Sequence, residues 1–178
     1  MGILNRIVQS TAPWMPKIVI GRIASVYVAG DKLEDGIDLV RKLNKKGFVG
    51  TLDLLGEEVK NRRGITKTTN SYCDLIDGIA NSGVDCNISL KLTAIGLKVD
   101  ESLCWDNLSV ILDKAKMYNT FVRMDMEDSE VTESTIKMCK KAVNYYPNCG
   151  TVLQAYMYRT NGDIDLLKGP NTNIRLCK

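Results

Sequence analysis

Apolar side chains recur along this chain in two alternating patterns. Spacings of three or four residues predict amphipathic helices, and Leu33, Ile37 and Val40 begin the first such series. Short, nearly continuous apolar runs predict buried strands that begin near residues 49, 87, 121, 151 and 174. Regular alternation of strands and helices is typical of a parallel sheet, so the chain is predicted to be an α/β protein.

Glycines and capping residues set the predicted boundaries of these elements. The first helix is predicted to begin at Asp31, with Glu34 completing a capping box, and to end at Gly47. The first strand is predicted over residues 48–56, followed by a polar loop from 57 to 67. The later predicted helices carry Tyr72, Ile76 and Ile79, ending near Ser82 and Gly83; then Leu108, Ile111, Ala115 and Tyr118; then Ile136, Cys139, Val143 and Tyr146; and lastly residues 163–168.

Two segments are predicted from this pattern. Residues 1–30 are apolar and basic, with Pro13 and Pro16 interrupting any long helix, and are predicted to be a leader or capping segment. Residues 31–178 are predicted to be part of a (β/α) barrel. Because five strands cannot close an eight-stranded barrel, we expect a TIM-type (β/α)8 barrel truncated after about five βα units, or one that another chain closes.

Polar residues stand at the end of every predicted strand. They are Asp53, Lys91, Asp125, Gln154 and Arg175. In a (β/α) barrel the carboxyl ends of the strands gather on one face, which is where active sites lie. Each residue alone could be a solvated strand end. The acidic run after residue 124 could instead belong to a strand followed by an acidic helix start, because residues 129–133 supply N-cap residues and acids suited to a helix dipole. The five residues together favour a functional rim.

Composition narrows the classes of function. The net charge is only +3, from 24 basic and 21 acidic residues without a long basic run, which argues against a nucleic-acid ligand and gives no sign of a charged membrane-binding surface. No run reaches the ~20 apolar residues of a membrane span. The six cysteines show no C-x-x-C spacing and suit buried thiols in a reducing compartment such as the cytoplasm.

The chain contains no histidine. This removes the commonest general base, argues against a typical zinc site, and excludes a Ser-His or Cys-His mechanism within the chain. No metal site is predicted. Chemistry in this protein must therefore depend on carboxylates, lysine, arginine, tyrosine or a cofactor.

Six short segments, in order, resemble monofunctional bacterial proline dehydrogenases. The segments are residues 28–30 (VAG), 51–57 (TLDLLGE), 89–93 (SLKLT), 123–128 (RMDMED), 153–156 (LQAY) and 175–178 (RLCK). The resemblance runs from about residue 24 to the last residue, and the fixed order of the segments makes it specific. It implies a distorted (β/α)8 barrel that holds FAD and oxidises L-proline to Δ1-pyrroline-5-carboxylate, passing a hydride to flavin N5 and electrons on to a quinone.

The resemblance also implies a cytoplasmic enzyme that can lie peripherally at the inner membrane, where quinones are found. Because a flavin carries the electrons, a site without histidine is no obstacle. Lys91 matches the family lysine that binds the substrate carboxylate, and a lysine offers a point charge suited to that role. Asp125 and Arg175 match the catalytic acid and the arginine beside the flavin, although in sequence a structural ion pair would look identical.

Cofactor contacts are implied at Met126, Gln154, Arg175 and Lys178. Gln154 matches an amide that binds the flavin ring, whereas Met126 and Lys178 match positions that contact FAD mainly through the backbone and on the phosphate side. Met126 could equally be a core residue, since methionine fills irregular gaps. Tyr156 is a flavin neighbour or a core residue.

The family continues beyond the position of Lys178 with three more strands and a helix bearing a Tyr-x-x-Arg-Arg motif that clamps the proline carboxylate. That motif is not in this sequence, so we expect the chain alone to be a poor or inactive enzyme. Two alternatives stay open. One is a Schiff-base lyase or aldolase that uses Lys91 as nucleophile. The other is a non-catalytic split or degenerate half-barrel that pairs with a second chain or forms an oligomer.

Overall fold

Helices and strands alternate throughout the described part of the chain. The computed structural model describes residues 28–30, 32–56, 58–169 and 172–178. The helices are α1 (Leu33–Asn44), α2 (Arg62–Ser82), α3 (Glu101–Met117), α4 (Thr132–Val143) and α5 (Thr160–Leu167). The strands are β1 (Gly50–Asp53), β2 (Cys86–Leu90), β3 (Val122–Met124), β4 (Cys149–Gln154) and β5 (Asn173–Cys177). The predicted leader over residues 1–30 lies outside the described residues except for 28–30.

All five strands form one parallel sheet in the order β1-β2-β3-β4-β5. Each strand therefore lies beside the next strand of the sequence, which is the order found in a (β/α) barrel. The predicted α/β class and the five parallel strands are confirmed. None of the helices within the described ranges is long and apolar enough to cross a membrane.

The two faces of the sheet carry different side chains. The register aligns Leu52, Ile88, Val122 and Cys149 in one row and Asp53, Ser89, Arg123 and Gly150 in the next row. The apolar row faces the helices: a Cβ built on Gly50, two residues before Leu52, would meet Val40 of α1 at 2.8 Å. The core thus lies between the sheet and the helices, and the opposite face is largely polar.

Two helix starts differ from the prediction. Helix α2 begins at Arg62, inside the predicted polar loop of residues 57–67, because the Asn61 side chain accepts a hydrogen bond of 2.8 Å from the Gly64 N–H and caps the helix. Its predicted end is confirmed, with Gly83 in the left-handed conformation at φ 64°. Helix α1 has Lys32 at its N-cap position, where Asp31 was predicted; Asp31 itself lies outside the described residues.

The predicted first strand, over residues 48–56, is too long. Pairing with β2 begins at Gly50 and ends at Asp53. Phe48 and Val49 before it, and Leu55 after it, are 61%, 57% and 79% exposed. Apolar character extended the prediction beyond the residues that the neighbouring strand can pair with.

The starts of α4 and α5 compare differently with the prediction. Helix α4 begins at Thr132, within the predicted range 129–133, and Glu133 lies in its first turn, but its N-cap residue Val131 supplies no capping side chain. Helix α5 begins at Thr160, three residues before its predicted start at 163.

All six cysteines are free thiols. Burial raises the pKa of Cys86 and Cys149 to about 11, and that of Cys104 and Cys139 to about 12. These four thiols are therefore protonated at neutral pH and act as small apolar core residues, as the sequence predicted.

Candidate active site

Four of the five polar residues that were predicted at strand ends form two ion pairs near the carboxyl edge of the sheet. The predicted position of Arg175 is wrong: it lies in the middle of β5, aligned with Val152, and the strand continues to Cys177. The Lys91 ammonium nitrogen lies 2.5 Å from Asp53 Oδ2, joining the ends of β2 and β1. The Arg175 Nη2 lies 2.9 Å from Asp125 Oδ1. The sequence predicted these residues to share one rim, and the structure brings them together there in pairs.

Asp125 makes three hydrogen bonds, one through its backbone and two through its carboxylate. Its backbone N–H donates a 2.8 Å hydrogen bond to the Leu90 carbonyl, which continues the β2–β3 pairing by one residue. Its Oδ1 accepts a 2.6 Å hydrogen bond from the Ser89 hydroxyl in addition to the bond from Arg175. Because Arg175 lies on β5 and Asp125 follows β3, their side chains meet across β4 on the polar face.

Asp53 accepts hydrogen bonds at both oxygens. Lys91 donates to Oδ2, and the Tyr72 hydroxyl of α2 donates to Oδ1 over 3.0 Å. Burial, and after it the negative charge of Asp53, raises the pKa of Tyr72, so this hydroxyl is protonated across the physiological pH range. The Lys91 side chain is 17% exposed, which leaves its charge only partly hydrated.

Gln154 ends β4 beside an open cleft. The cleft has a volume of about 520 Å³ and lies between residues 127–129 and residues 154 and 156–159. Gln154 Oε1 is buried and has no hydrogen-bond partner within the described part of the chain. A buried amide oxygen without a partner costs free energy, so this atom is suited to accept a hydrogen bond from a ligand.

Met126 and Lys178, the other predicted cofactor contacts, lie elsewhere around the rim. The Met126 side chain is buried in the core cluster and is therefore not available as a side-chain contact for a ligand. Lys178 is exposed and directly follows β5. Tyr156 is 72% exposed at the cleft and is therefore not a core residue.

A network around Lys98 ties the loops of the rim together. Its ammonium lies 2.6 Å from Glu58, 3.0 Å from Asp128 and 3.3 Å from Glu130. Hydrogen bonds from Lys98 lower the pKa of Glu58 and of Asp128, and the same contacts raise the pKa of Lys98. Because Glu58 follows β1, Lys98 follows β2 and Asp128 follows β3, one lysine connects three loops.

Two further contacts brace the rim. Glu127 accepts hydrogen bonds from both the backbone N–H and the hydroxyl of Thr93, so the loop after β3 is fixed to the short 3-10 helix after β2. Arg159, at the cleft, pairs with the buried Asp163 at 2.8 Å and with Glu133 at 2.7 Å. These bonds give the cleft walls fixed positions.

Two residues of the site, Ser89 and Tyr72, were not predicted from the sequence. Ser89 stands two residues before Lys91, so strand alternation places both on the same face, and that signal was available. Tyr72 falls on the apolar stripe of α2 with Ile76 and Ile79, and periodicity there indicates only a core residue. Nothing in the local sequence shows that its hydroxyl reaches a strand end.

Comparison with known proteins matches the sequence to one family. The family model described as proline dehydrogenase matches residues 37–170. Proline dehydrogenase 1 of Bacillus subtilis subsp. natto is 36% identical over 152 residues, covering 85% of this chain and 50% of the relative. Proline dehydrogenase 2 of the same organism is 34% identical over 177 residues, covering 99% and 56%. Proline dehydrogenase of Deinococcus radiodurans is 34% identical over 161 residues, covering 88% and 52%.

A solved structure shares the fold. Proline utilization A of Bdellovibrio bacteriovorus, inactivated by N-propargylglycine, superposes with a TM-score of 0.82 at 20% identity, over 91% of this chain and 20% of that chain. At this identity the likeness concerns the fold alone. The chain spans about half the length of the curated relatives that it matches, at 50% to 56%.

Proposed function

Because this chain belongs to the proline dehydrogenase family, we propose that it supplies the flavin-binding and proline-binding part of an enzyme that oxidises L-proline to Δ1-pyrroline-5-carboxylate. The observation that carries the proposal is the meeting of Lys91–Asp53 and Arg175–Asp125 on one polar face, beside a cleft. One cation is thereby available for a substrate carboxylate and another for a redox cofactor.

FAD is the proposed cofactor. When bound, it accepts the hydride from the proline carbon beside the amine. Gln154 Oε1 is a buried acceptor without a partner in the described chain, which fits an N–H group of a flavin ring. Arg175, the backbone of Met126, and Lys178 are the other residues that we propose hold the cofactor. Quinone is the proposed final electron acceptor, with the protein at a membrane surface in the cytoplasm.

Lys91 is proposed to bind the carboxylate of proline. Its ammonium is a compact charge in a partly dehydrated position, where a charge-assisted hydrogen bond contributes about 1.5–3 kcal/mol. Asp53 keeps this ammonium paired when no substrate is present. A carboxylate that arrives would share the ammonium with Asp53.

Asp125 and Arg175 are proposed to act as a unit. A guanidinium carries five N–H donors in a fixed fork, and Asp125 engages Nη2 in this structure. The Arg175 side chain is 43% exposed, so it can offer donors to negative charge that develops on a bound flavin. Asp125, which also accepts from Ser89, fixes the direction in which the guanidinium points.

Further strands are proposed to complete the sheet. In the part of the chain that the structure describes, β1 and β5 are the edge strands and each has only one strand partner. Open edges of parallel sheets pair readily with other strands. A second chain or an oligomer that adds strands beside β5 would also enclose the polar face and raise activity.

The test is a spectrum of the purified chain with FAD, alone and mixed with the C-terminal half of a relative, recorded without oxygen before and after addition of L-proline. Protein-bound flavin bands that bleach with L-proline, and not with D-proline, are expected in the mixture, whereas the chain alone should bleach slowly or not at all. Arg175→Ala should abolish bleaching, whereas Lys114→Met, which removes an ion pair with Asp77 away from the rim, should not. If neither the chain nor its mixture with the C-terminal half of a relative binds FAD, the proposal is wrong.

The aldolase alternative receives no support from the site. A Schiff-base nucleophile must have its amine free to attack, whereas the Lys91 nitrogen donates a 2.5 Å hydrogen bond to Asp53 Oδ2. Borohydride trapping with a carbonyl compound checks this point. No covalent adduct at Lys91 is expected.

A further inference from the structure

A tyrosine that the proposed reaction does not use lies against the Lys91–Asp53 ion pair. Tyr72 is fully buried on α2, and its hydroxyl donates to Asp53 Oδ1 over 3.0 Å. Asp53 in turn binds the Lys91 ammonium through its other oxygen. Tyr72, Asp53 and Lys91 therefore form a polar triad, linked through the Asp53 carboxylate, between one helix and two strand ends.

This triad holds the charged end of Lys91 in place. The ammonium is fixed by the Asp53 carboxylate, and the Tyr72 hydroxyl orients that carboxylate. A lysine side chain otherwise has four rotatable bonds, and ordering them is costly when it binds a ligand. A buried hydroxyl is itself costly unless it is hydrogen-bonded, and Tyr72 uses its hydroxyl as the donor to Asp53.

We propose that Tyr72 and Asp53 are positioning residues that hold the Lys91 ammonium in place to receive a carboxylate, an inference that rests on the proposed role of Lys91. Neither residue needs to touch the substrate. Tyr72 acts through Asp53. The expected consequence is that loss of the Tyr72 hydroxyl loosens Lys91 without disturbing the rest of α2.

The experiment measures how fast acetic anhydride acetylates individual lysines in the folded chain, read by mass spectrometry of peptides. Tyr72→Phe keeps the ring and removes the hydroxyl. We expect acetylation of Lys91 to become about threefold faster or more, the change that the loss of one hydrogen bond allows. Asp53→Asn should have a larger effect, and the double variant should not exceed Asp53→Asn, because Tyr72 acts through Asp53.

Two controls separate positioning from general loosening. Lys114 reports on α2, because it pairs with Asp77 of that helix at 2.8 Å, and its acetylation rate should not change. Tyr146→Phe is the matched variant, because Tyr146 is also buried, and burial and after it Asp113 of α3, away from the rim, raise its pKa. It should leave Lys91 unchanged.

Two results of the acetylation experiment would overturn the proposal. An unchanged Lys91 rate in Tyr72→Phe, or equal increases at Lys91 and Lys114, would show that Tyr72 has only a packing role. A second readout needs no variant at Tyr72: its hydroxyl proton should be visible by NMR in the unmodified chain and should be lost or strongly shifted in Asp53→Asn. A hydroxyl signal that is unchanged in Asp53→Asn would contradict the polar triad of Tyr72, Asp53 and Lys91.

Failure of this proposal is distinguishable from failure of the proposed function. Acetylation and NMR use neither flavin nor proline, so the polar triad can be tested in a protein that has no oxidase or dehydrogenase activity. In an assembly that does turn over proline, Tyr72→Phe should raise KM for proline and leave kcat nearly unchanged. A fall in kcat at constant KM would place Tyr72 in a different role.

Discussion

Apolar and polar residues alternate over positions 88–91, at the end of β2 and just after it. Ile88 and Leu90 point to the helices and are fully buried, whereas Ser89 and Lys91 lie on the opposite face and bind Asp125 and Asp53. The same contrast holds at β3, where Val122 and Met124 are buried. Packing and chemistry are thus assigned to alternate residues of the same strands, so each can be changed with limited effect on the other.

The first test of this difference between the two faces removes part of a core side chain. Leu90→Ala should destabilise the chain by about 2–5 kcal/mol, because it leaves a cavity in a fully buried position. Urea unfolding measures the change. Ser89→Ala, the neighbouring residue on the polar face, should cost about 1 kcal/mol, the net contribution of one hydrogen bond. Equal losses for both variants would show that the two faces are not separable.

The second test removes the charge on the polar face. Lys91→Met should weaken binding of a small cyclic carboxylate such as cyclopentanecarboxylate by about 10- to 100-fold, the range for one charge-assisted hydrogen bond. The free energy of unfolding should fall by about 1–3 kcal/mol, because the Asp53 carboxylate loses a partner at a partly buried position. Calorimetric titration gives the affinity. Lys114→Met is the control and should bind like the unchanged chain, so a similar loss there would deny Lys91 a specific role.

The third test concerns the loops that frame the polar face. Lys98 lowers the pKa of Glu58 and Asp128, so these carboxylates contribute stability above the usual carboxyl pKa range, and lose it as the pH falls through their lowered pKa values. Lys98→Met should therefore reduce the drop in the urea midpoint between pH 7 and pH 3. The effect should be small, because all these groups are exposed.

Lys168→Met provides the comparison for this third test. Lys168 pairs with Asp165 on α5, far along the chain from the three rim loops, and both side chains are well exposed. The acid sensitivity of this variant should match that of the unchanged chain. If Lys98→Met and Lys168→Met behave alike, the network does not brace the rim.

The sequence predicted the polar strand ends because parallel strands in chain order bring their carboxyl ends together. Pairing of Asp53 with Lys91 follows from neighbouring strands and needs little more than the register. The Arg175–Asp125 pair spans β4, and only the length of the arginine side chain makes it possible. That distance could not be read from a pattern of apolar residues.

Other features depended on contacts between distant residues. The start of α2 depends on the Asn61 side chain, which stands in a polar run that looked like a loop. The length of β1 depends on which residues β2 can pair with. The role of Tyr72 depends on where one hydroxyl lies at the end of a core side chain, and core periodicity does not contain that information.

The central claim is that the polar face of the sheet is the side that binds the cofactor. The most direct measurement is a crystal structure of the chain with FAD, alone or in the assembly that binds it most tightly. The account predicts the flavin ring at the carboxyl ends of β3, β4 and β5, within hydrogen-bonding distance of Gln154 and Arg175. A flavin bound on the helix-covered side, or at the opposite end of the strands, would contradict it.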